Sequence, residues 1–155
     1  MDSSTAGPAA AGPSRFGRFM GGFLKSPFGG MSGRVMLVTY QGRVSGLTRE
    51  LPVNCEPYED GYLIRVGLPE SKTWWRNFRS PWPIRLIRGR RAIDGTAVAV
   101  LGSTGRGQHI AADYFAAHHG AARRAGLPGL HKGEVPTPEA LQAAAATMVF
   151  IVVTP

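Results

Sequence analysis

Residues 35–66, VMLVTYQGRVSGLTRELPVNCEPYEDGYLIRV, decide the fold. Val35 to Tyr40 is a run of β-formers, Leu47 to Cys55 alternates apolar with polar residues, and Gly61 to Val66 is a third run. β-Branched and aromatic side chains fit a pleated, half-buried surface, whereas the Gly and Asp residues between the runs favour turns. The stretch therefore reads as three strands, with Glu59-Asp60-Gly61 as a hairpin turn. Pro83 to Arg88 and Arg91 to Leu101 continue the meander, and Asp94-Gly95 is placed where a bulge or turn would bend the longer strand. Met148 to Val153 (MVFIVV) is the sixth strand. Pro52 cannot donate to a ladder, which puts the second strand at a sheet edge or beside a ligand.

Two helical pieces precede the last strand. Gln108 to Ala125 is Ala-rich, with Ile110, Tyr114, Phe115 and His118 near one face, and Thr137-Pro138-Glu139 is a cap followed by Pro in the first turn of a helix through Ala146. Residues 126–136 read as a loop. At the other end, residues 1–14 are small, polar or Pro/Gly and read as a disordered tail ahead of a single domain over 15–155. Phe16, Phe19, Met20, Phe23 and Leu24 recur at helical spacing between Arg15, Arg18 and Lys25, an amphipathic helix with basic flanks. Packing on its own domain and docking on an anionic membrane through Phe16, Phe19 and Phe23 are both open for it. Without strand–helix alternation, the class is mainly β (α+β): six antiparallel strands in a small closed or partly open barrel.

Composition narrows the chemistry. The 155 residues suit one domain, and the 21 Gly and 12 Pro call for many tight turns. A single cysteine, Cys55, excludes a disulfide framework and multi-cysteine metal sites. Eighteen Lys and Arg against ten Asp and Glu give a net charge of +8, so an anionic partner is expected. No apolar run approaches the ~20 residues of a membrane span, and a cytoplasmic location is expected, with peripheral membrane contact as the open alternative.

Two segments concentrate the candidate chemistry. Gly42-Arg43-Val44-Ser45-Gly46-Leu47-Thr48-Arg49 sets guanidinium groups and backbone N–H groups around a turn, the composition of either an anion site or a turn with solvated arginines. From Lys72 to Arg91 there are seven Lys or Arg and no acid, interleaved with Trp74, Trp75 and Trp82. Such a segment suits a planar ring with a phosphate tail or single-stranded nucleic acid, or reads as core tryptophans beneath a solvated basic face. No nucleic-acid-binding motif accompanies the charge, so nucleic acid is not the expected partner.

The order Gly42-Arg43-x-Ser45-Gly46-x-x-Arg49-x-x-Pro52-Val53, a hairpin, Lys72-x-Trp74-Trp75-x-Asn77-Phe78-x-x-Pro81, and a last strand ending Val153-Thr154-Pro155 resembles the deazaflavin-dependent nitroreductase and quinone reductase family. The resemblance covers residues 16–104 and 147–155. It implies a split β-barrel, related to the FMN-binding pyridoxamine-phosphate-oxidase-like proteins, and a hydride transfer from reduced coenzyme F420, a 5-deazaflavin, to quinones, nitroaromatics or similar planar acceptors. FMN is the less favoured cofactor. By the same resemblance Arg43, Ser45 and Arg49 hold the phosphate or acidic tail and Lys72 adds a second positive contact. The backbone at Leu51, Pro52 and Val53 flanks the ring, and Trp74, Trp75 and Asn77 shape the groove. The cofactor carries the redox chemistry, so no fixed proton donor is required; Tyr114 is the one catalytic candidate. Val44 stands where many members have lysine, and residues 105–146 are longer and more helical than usual. Some branches of the family bind fatty acids or other lipids, which sets the alternative: a non-catalytic carrier using Arg43, Arg49 and Lys72 for a carboxylate. Split barrels of this type are often homodimers.

Other residues read as structural. His109, His118, His119 and His131 lack acidic partners at metal-ligand spacing, so no metal site is expected. Cys55 has no basic neighbour in sequence and reads as a small buried hydrophobe. The loop 102–107 lacks the Lys-Ser/Thr ending of a nucleotide-binding loop.

Overall fold

The computed structural model describes residues 34–155. The tail over 1–14 and the helix carrying Phe16, Phe19 and Phe23 lie outside the described residues. Seven strands, β1 (Val35–Gln41), β2 (Thr48–Asn54), β3 (Glu56–Tyr58), β4 (Gly61–Arg65), β5 (Trp82–Arg88), β6 (Arg91–Leu101) and β7 (Val149–Thr154), form one antiparallel sheet. Its order is β2-β1-β5-β6-β7-β4-β3. β2 and β3 stand at opposite ends of that order, yet only Cys55 separates them in the chain. One residue reaches about 3.5 Å, so the two edges must meet and the sheet curls into a half-barrel.

The seventh strand corrects the expected six. The Cys55 amide donates to the Arg34 carbonyl at 2.7 Å, the last bond on the β1 side, after which Glu56 pairs with Leu63 and Tyr58 with Gly61 across the expected hairpin. Pro57 disguises β3 as a break; an end strand tolerates it because its missing N–H faces no neighbour. Pro52 likewise lies on the terminal strand β2, opposite Leu37.

The Asp94-Gly95 bulge is also corrected. β5 and β6 stay in register through Arg85 opposite Asp94 and Ile84 opposite Gly95. Glycine is needed at 95 for space, since a Cβ would come within 2.6 Å of the Thr154 carbonyl oxygen.

Burial explains the continuous apolar run of β7. Val149, Ile151 and Val153 point into the barrel core with Met36, Val38, Ile64 and Leu86, while Phe150 and Val152 point to the other face with Leu63 and Val100. A strand covered on both faces has no polar alternation. The outer cover is helical: α1 (Gly105–Ala117), α2 (His119–Arg124) and α3 (Pro138–Ala145). Ile110, Phe115, Ala122 and Ala145 are buried there.

The single helix expected over 108–125 is broken at His118, whose φ of −126° and ψ of 71° leave the helical region. The break accompanies a tertiary bond from the imidazole to Glu56, which local propensity does not encode. α1 starts earlier than expected, capped by Thr104, whose hydroxyl accepts from the Gly107 amide at 3.1 Å. The expected Thr137 cap is present, accepting from the Ala140 amide at 3.2 Å with Pro138 behind it. The intervening loop contains a 3-10 turn over Pro128–Lys132.

A second 3-10 turn, Trp74–Phe78, enters the barrel core through Trp75 and Phe78. Phe78 packs edge-on to Tyr40 at 5.1 Å and to Trp74 at 6.2 Å. Among the described residues no helix is long and apolar enough to cross a membrane.

Candidate functional site

The β2–β3 corner opens onto a cleft of about 510 Å³. Its walls bring together Leu51, Pro52 and Val53 from β2, Lys72 and Trp74 from the start of the 3-10 turn, and Tyr114 from α1. These residues come from three separated stretches of chain, and each belongs to the site expected from the sequence. Leu51 and Val53 present half-buried apolar surface next to the Trp74 indole. The Lys72 ammonium makes no hydrogen bond or ion pair among the described residues, so its positive charge is available to a ligand.

A second cavity, about 580 Å³, shares Trp74 as a lining residue. Arg43, Ser45, Arg49 and Asn77 line it. Their roles divide. The Arg43 guanidinium donates from Nε to the Asn77 carbonyl at 3.0 Å and from Nη2 to the Ser80 carbonyl at 2.9 Å, and it lies 4.0 Å above the Trp82 ring. Asn77 Oδ1 accepts from the Arg43 amide at 2.8 Å, and its Nδ2 donates to the Trp74 carbonyl at 2.8 Å. Arg43 and Asn77 thus clamp the 42–46 turn to the segment after the 3-10 turn. The amides of Gly42, Gly46 and Leu47 are engaged within the turn, the last by the Ser45 hydroxyl at 3.3 Å. Most donors that make this sequence look like an anion nest are therefore satisfied internally. Arg49 makes no hydrogen bond or ion pair among the described residues. Trp75 lines neither cavity: its ring is buried in the core and its Nε1 donates to the Pro69 carbonyl at 2.9 Å.

The first cleft also holds a group that the sequence reading set aside. His118 Nε2 lies 2.8 Å from a Glu56 carboxylate oxygen, and both side chains are little more than one-fifth exposed. A carboxylate only accepts, so Nε2 carries the proton. The same Glu56 oxygen accepts from Arg34 at 3.2 Å, and the imidazole lies against the Tyr114 ring at 4.4 Å between centroids. Glu56 and His118 are 62 residues apart, which is why no spacing rule finds the pair.

Burial sets the remaining titrations. The Cys55 thiol, 2% exposed at the corner, is pushed up to about 12, mainly by desolvation and further by the Glu56 charge. This thiol is inert packing, as expected. Burial raises Tyr40 against a smaller opposing effect of Arg49, and raises Tyr58, whose hydroxyl donates to Asp113 at 3.4 Å. Among the described residues no group of His, Cys and acidic side chains is arranged to hold a metal.

The cleft volume lies in the range of about 300–1,000 Å³ typical of cofactor and small-molecule sites. An indole beside aliphatic walls suits a flat ring, and Lys72 and Arg49, without ion pairs among the described residues, suit an acidic tail. Leu51, Pro52, Val53, Lys72, Trp74 and Arg49 thus offer a ligand apolar walls and positive charge, with Arg43 and Asn77 as scaffold. The fold and this cleft define the class as a curled antiparallel β half-barrel with a basic, tryptophan-walled cleft at its corner. Comparison with protein-family models gives no match for the chain, and comparison with curated proteins gives none either.

Proposed function

We propose that the protein is a deazaflavin-dependent oxidoreductase on a split, FMN-binding-like barrel, transferring hydride from reduced coenzyme F420 to a quinone, nitroaromatic or similar planar acceptor. The observation that carries this reading is the convergence of Leu51, Pro52, Val53, Lys72 and Trp74 on one cleft, with Arg49 in a second cavity lined by the same Trp74. Both motifs of the family resemblance supply that cleft. The chain's contribution is to bind and orient: apolar walls exclude water from a ring, and Lys72 and Arg49 attract the acidic tail. When bound, the coenzyme supplies the hydride.

Fluorescence titration of coenzyme F420 into the purified protein tests the reading. Saturation in the micromolar range is expected, and each of Arg49→Ala and Lys72→Ala should weaken it about tenfold or more, since a charge-assisted contact is worth about 1.5–3 kcal/mol. No saturation at hundreds of micromolar overturns it.

The lipid-carrier alternative has one observation in its favour. A third cavity of about 340 Å³ is lined by Phe115, Ala121, Ala125, Ala144 and Met148, with Arg65 and Arg124 beside them. Solvent extraction followed by mass spectrometry would release a fatty acid if that cavity is the working site. Homodimerisation and membrane contact through Phe16, Phe19 and Phe23 remain proposals tied to the same family reading, and light scattering and liposome flotation test them.

A further inference from the structure

We infer that His118 is the proton-transfer residue of the cleft and Glu56 the residue that positions it, an inference resting on the hydride-transfer reading above. Three observations support it. The imidazole lines the same cleft as Lys72, Trp74 and the β2 residues. Glu56 fixes one ring nitrogen: with Nε2–H directed to the carboxylate at 2.8 Å, the neutral ring has its lone pair on Nδ1. Nδ1 makes no hydrogen bond among the described residues, whereas Nε2 reaches both Glu56 oxygens. An oriented imidazole with one engaged and one open nitrogen is the arrangement a general acid–base group needs. The His118 break between α1 and α2 places the ring there, at the end of one helix and outside the regular turn of the next.

Hydride breaks from the reduced deazaflavin ring with its electron pair and bonds to the acceptor, leaving an acceptor oxygen with a negative charge. The imidazolium gives its Nδ1 proton to that oxygen, an O–H bond forming as the N–H bond breaks. The neutral imidazole is reprotonated from solvent, into which the proton lost by the oxidised donor ring also passes. Glu56 stabilises the cationic ring throughout, while Arg34 orients Glu56 at 3.2 Å. The groups facing the imidazole are Glu56 on β3, Arg34 ahead of β1 and Tyr114 on α1, with Arg65 of β4 over the Tyr114 ring at 5.7 Å and Lys72 in the same cleft.

The test uses two readouts on the full chain. In the coenzyme-free protein, ¹⁵N–¹H correlation of the histidine rings should show His118 as the Nε2–H tautomer, and Glu56→Gln should lose that preference; the Nδ1–H tautomer in the wild type overturns the geometry. In turnover with a benzoquinone, Glu56→Gln and His118→Gln should bind coenzyme F420 within about twofold of wild type. Both should keep the quinone KM within about threefold and lose about 100-fold in kcat. The dependence of kcat on a single ionisation should vanish in His118→Gln. Coenzyme binding with unchanged kcat in both variants overturns the proton-transfer role alone. Absence of coenzyme binding by the wild type overturns the deazaflavin reading, and the role with it. Glu56→Gln is nearly isosteric, so it decides the matter even if His118→Gln destabilises the helix junction.

Discussion

Arg43 is a ligand candidate by sequence alongside Ser45 and Arg49 but is engaged by the fold, so its replacement separates two kinds of arginine. Arg43→Ala removes the donations to the Asn77 and Ser80 carbonyls at 3.0 and 2.9 Å and the stack on Trp82 at 4.0 Å. The residue is exposed, which puts each hydrogen bond near the low end of its range, about 0.5–1 kcal/mol, and the stack at about 0.5–1 kcal/mol. The expected loss of stability is about 2 kcal/mol. With a slope of about 2 kcal/mol per molar urea for a domain of this size, the unfolding midpoint should fall by about 1 M. Arg49→Ala breaks no such bond, so its midpoint should move by less than about 0.25 M, the ordinary range for a surface site. Urea titration followed by tryptophan fluorescence measures both. If Arg43→Ala leaves the midpoint unchanged and abolishes coenzyme affinity, Arg43 is a ligand residue and the clamp is incidental.

Three further perturbations follow from the packing. Cys55 should resist a thiol reagent in the native protein at pH 8 and react fully in denaturant, because burial holds the thiol near 12; rapid native labelling would mean that the β2–β3 corner is open. Gly107→Ala would drive a Cβ into the Leu101 carbonyl, so it should cost about 1–3 kcal/mol by thermal or urea unfolding, and a neutral outcome would contradict the seating of α1 on β6. The Arg85 hydrogen bonds hold the Asp94 carboxyl below its usual value, so their stabilisation is present above the ordinary carboxylate range near pH 4 and is lost as pH falls through the depressed value. Asp94→Asn should therefore be less stable than wild type at pH 7 and converge with it at low pH; a constant gap across that range would deny the pair its role.

The strands were legible because burial alternates along β5 while β1 and β7 are runs of β-formers buried over several consecutive residues, and the 59–61 hairpin because its turn chemistry is local. β3 was not, since Pro57 signals a break and only the meeting of two sheet edges gives that segment a partner. Asp94-Gly95 misled for a related reason: the same dipeptide serves a turn or a tight approach, and the Thr154 carbonyl that selects the latter is some 60 residues away. The site divided in the same manner. Ordered motifs identified the cleft walls, but whether a guanidinium is free or clamped depends on carbonyls at Asn77 and Ser80 that no spacing around Arg43 foretells. Glu56 and His118 each looked ordinary in its own stretch.

Charge placement bears on the choice between a solvated basic face and a site. Among the described residues Arg34 is paired with Glu56 and Arg85 with Asp94. Arg43, Arg76 and Arg79 lie instead over indole faces, at 4.0, 5.7 and 5.4 Å, where the ring quadrupole favours them. Among the described residues several cations, Arg88, Arg90 and Arg91 included, have neither kind of partner; of these, Lys72 and Arg49 line the two cavities that share Trp74. A short ligand confined to one cavity would meet one of them; only an elongated anion lying along the indole would meet both. Cations in two cavities that share one indole thus favour a ligand with a flat body and a charged tail over a compact anion or a lone carboxylate.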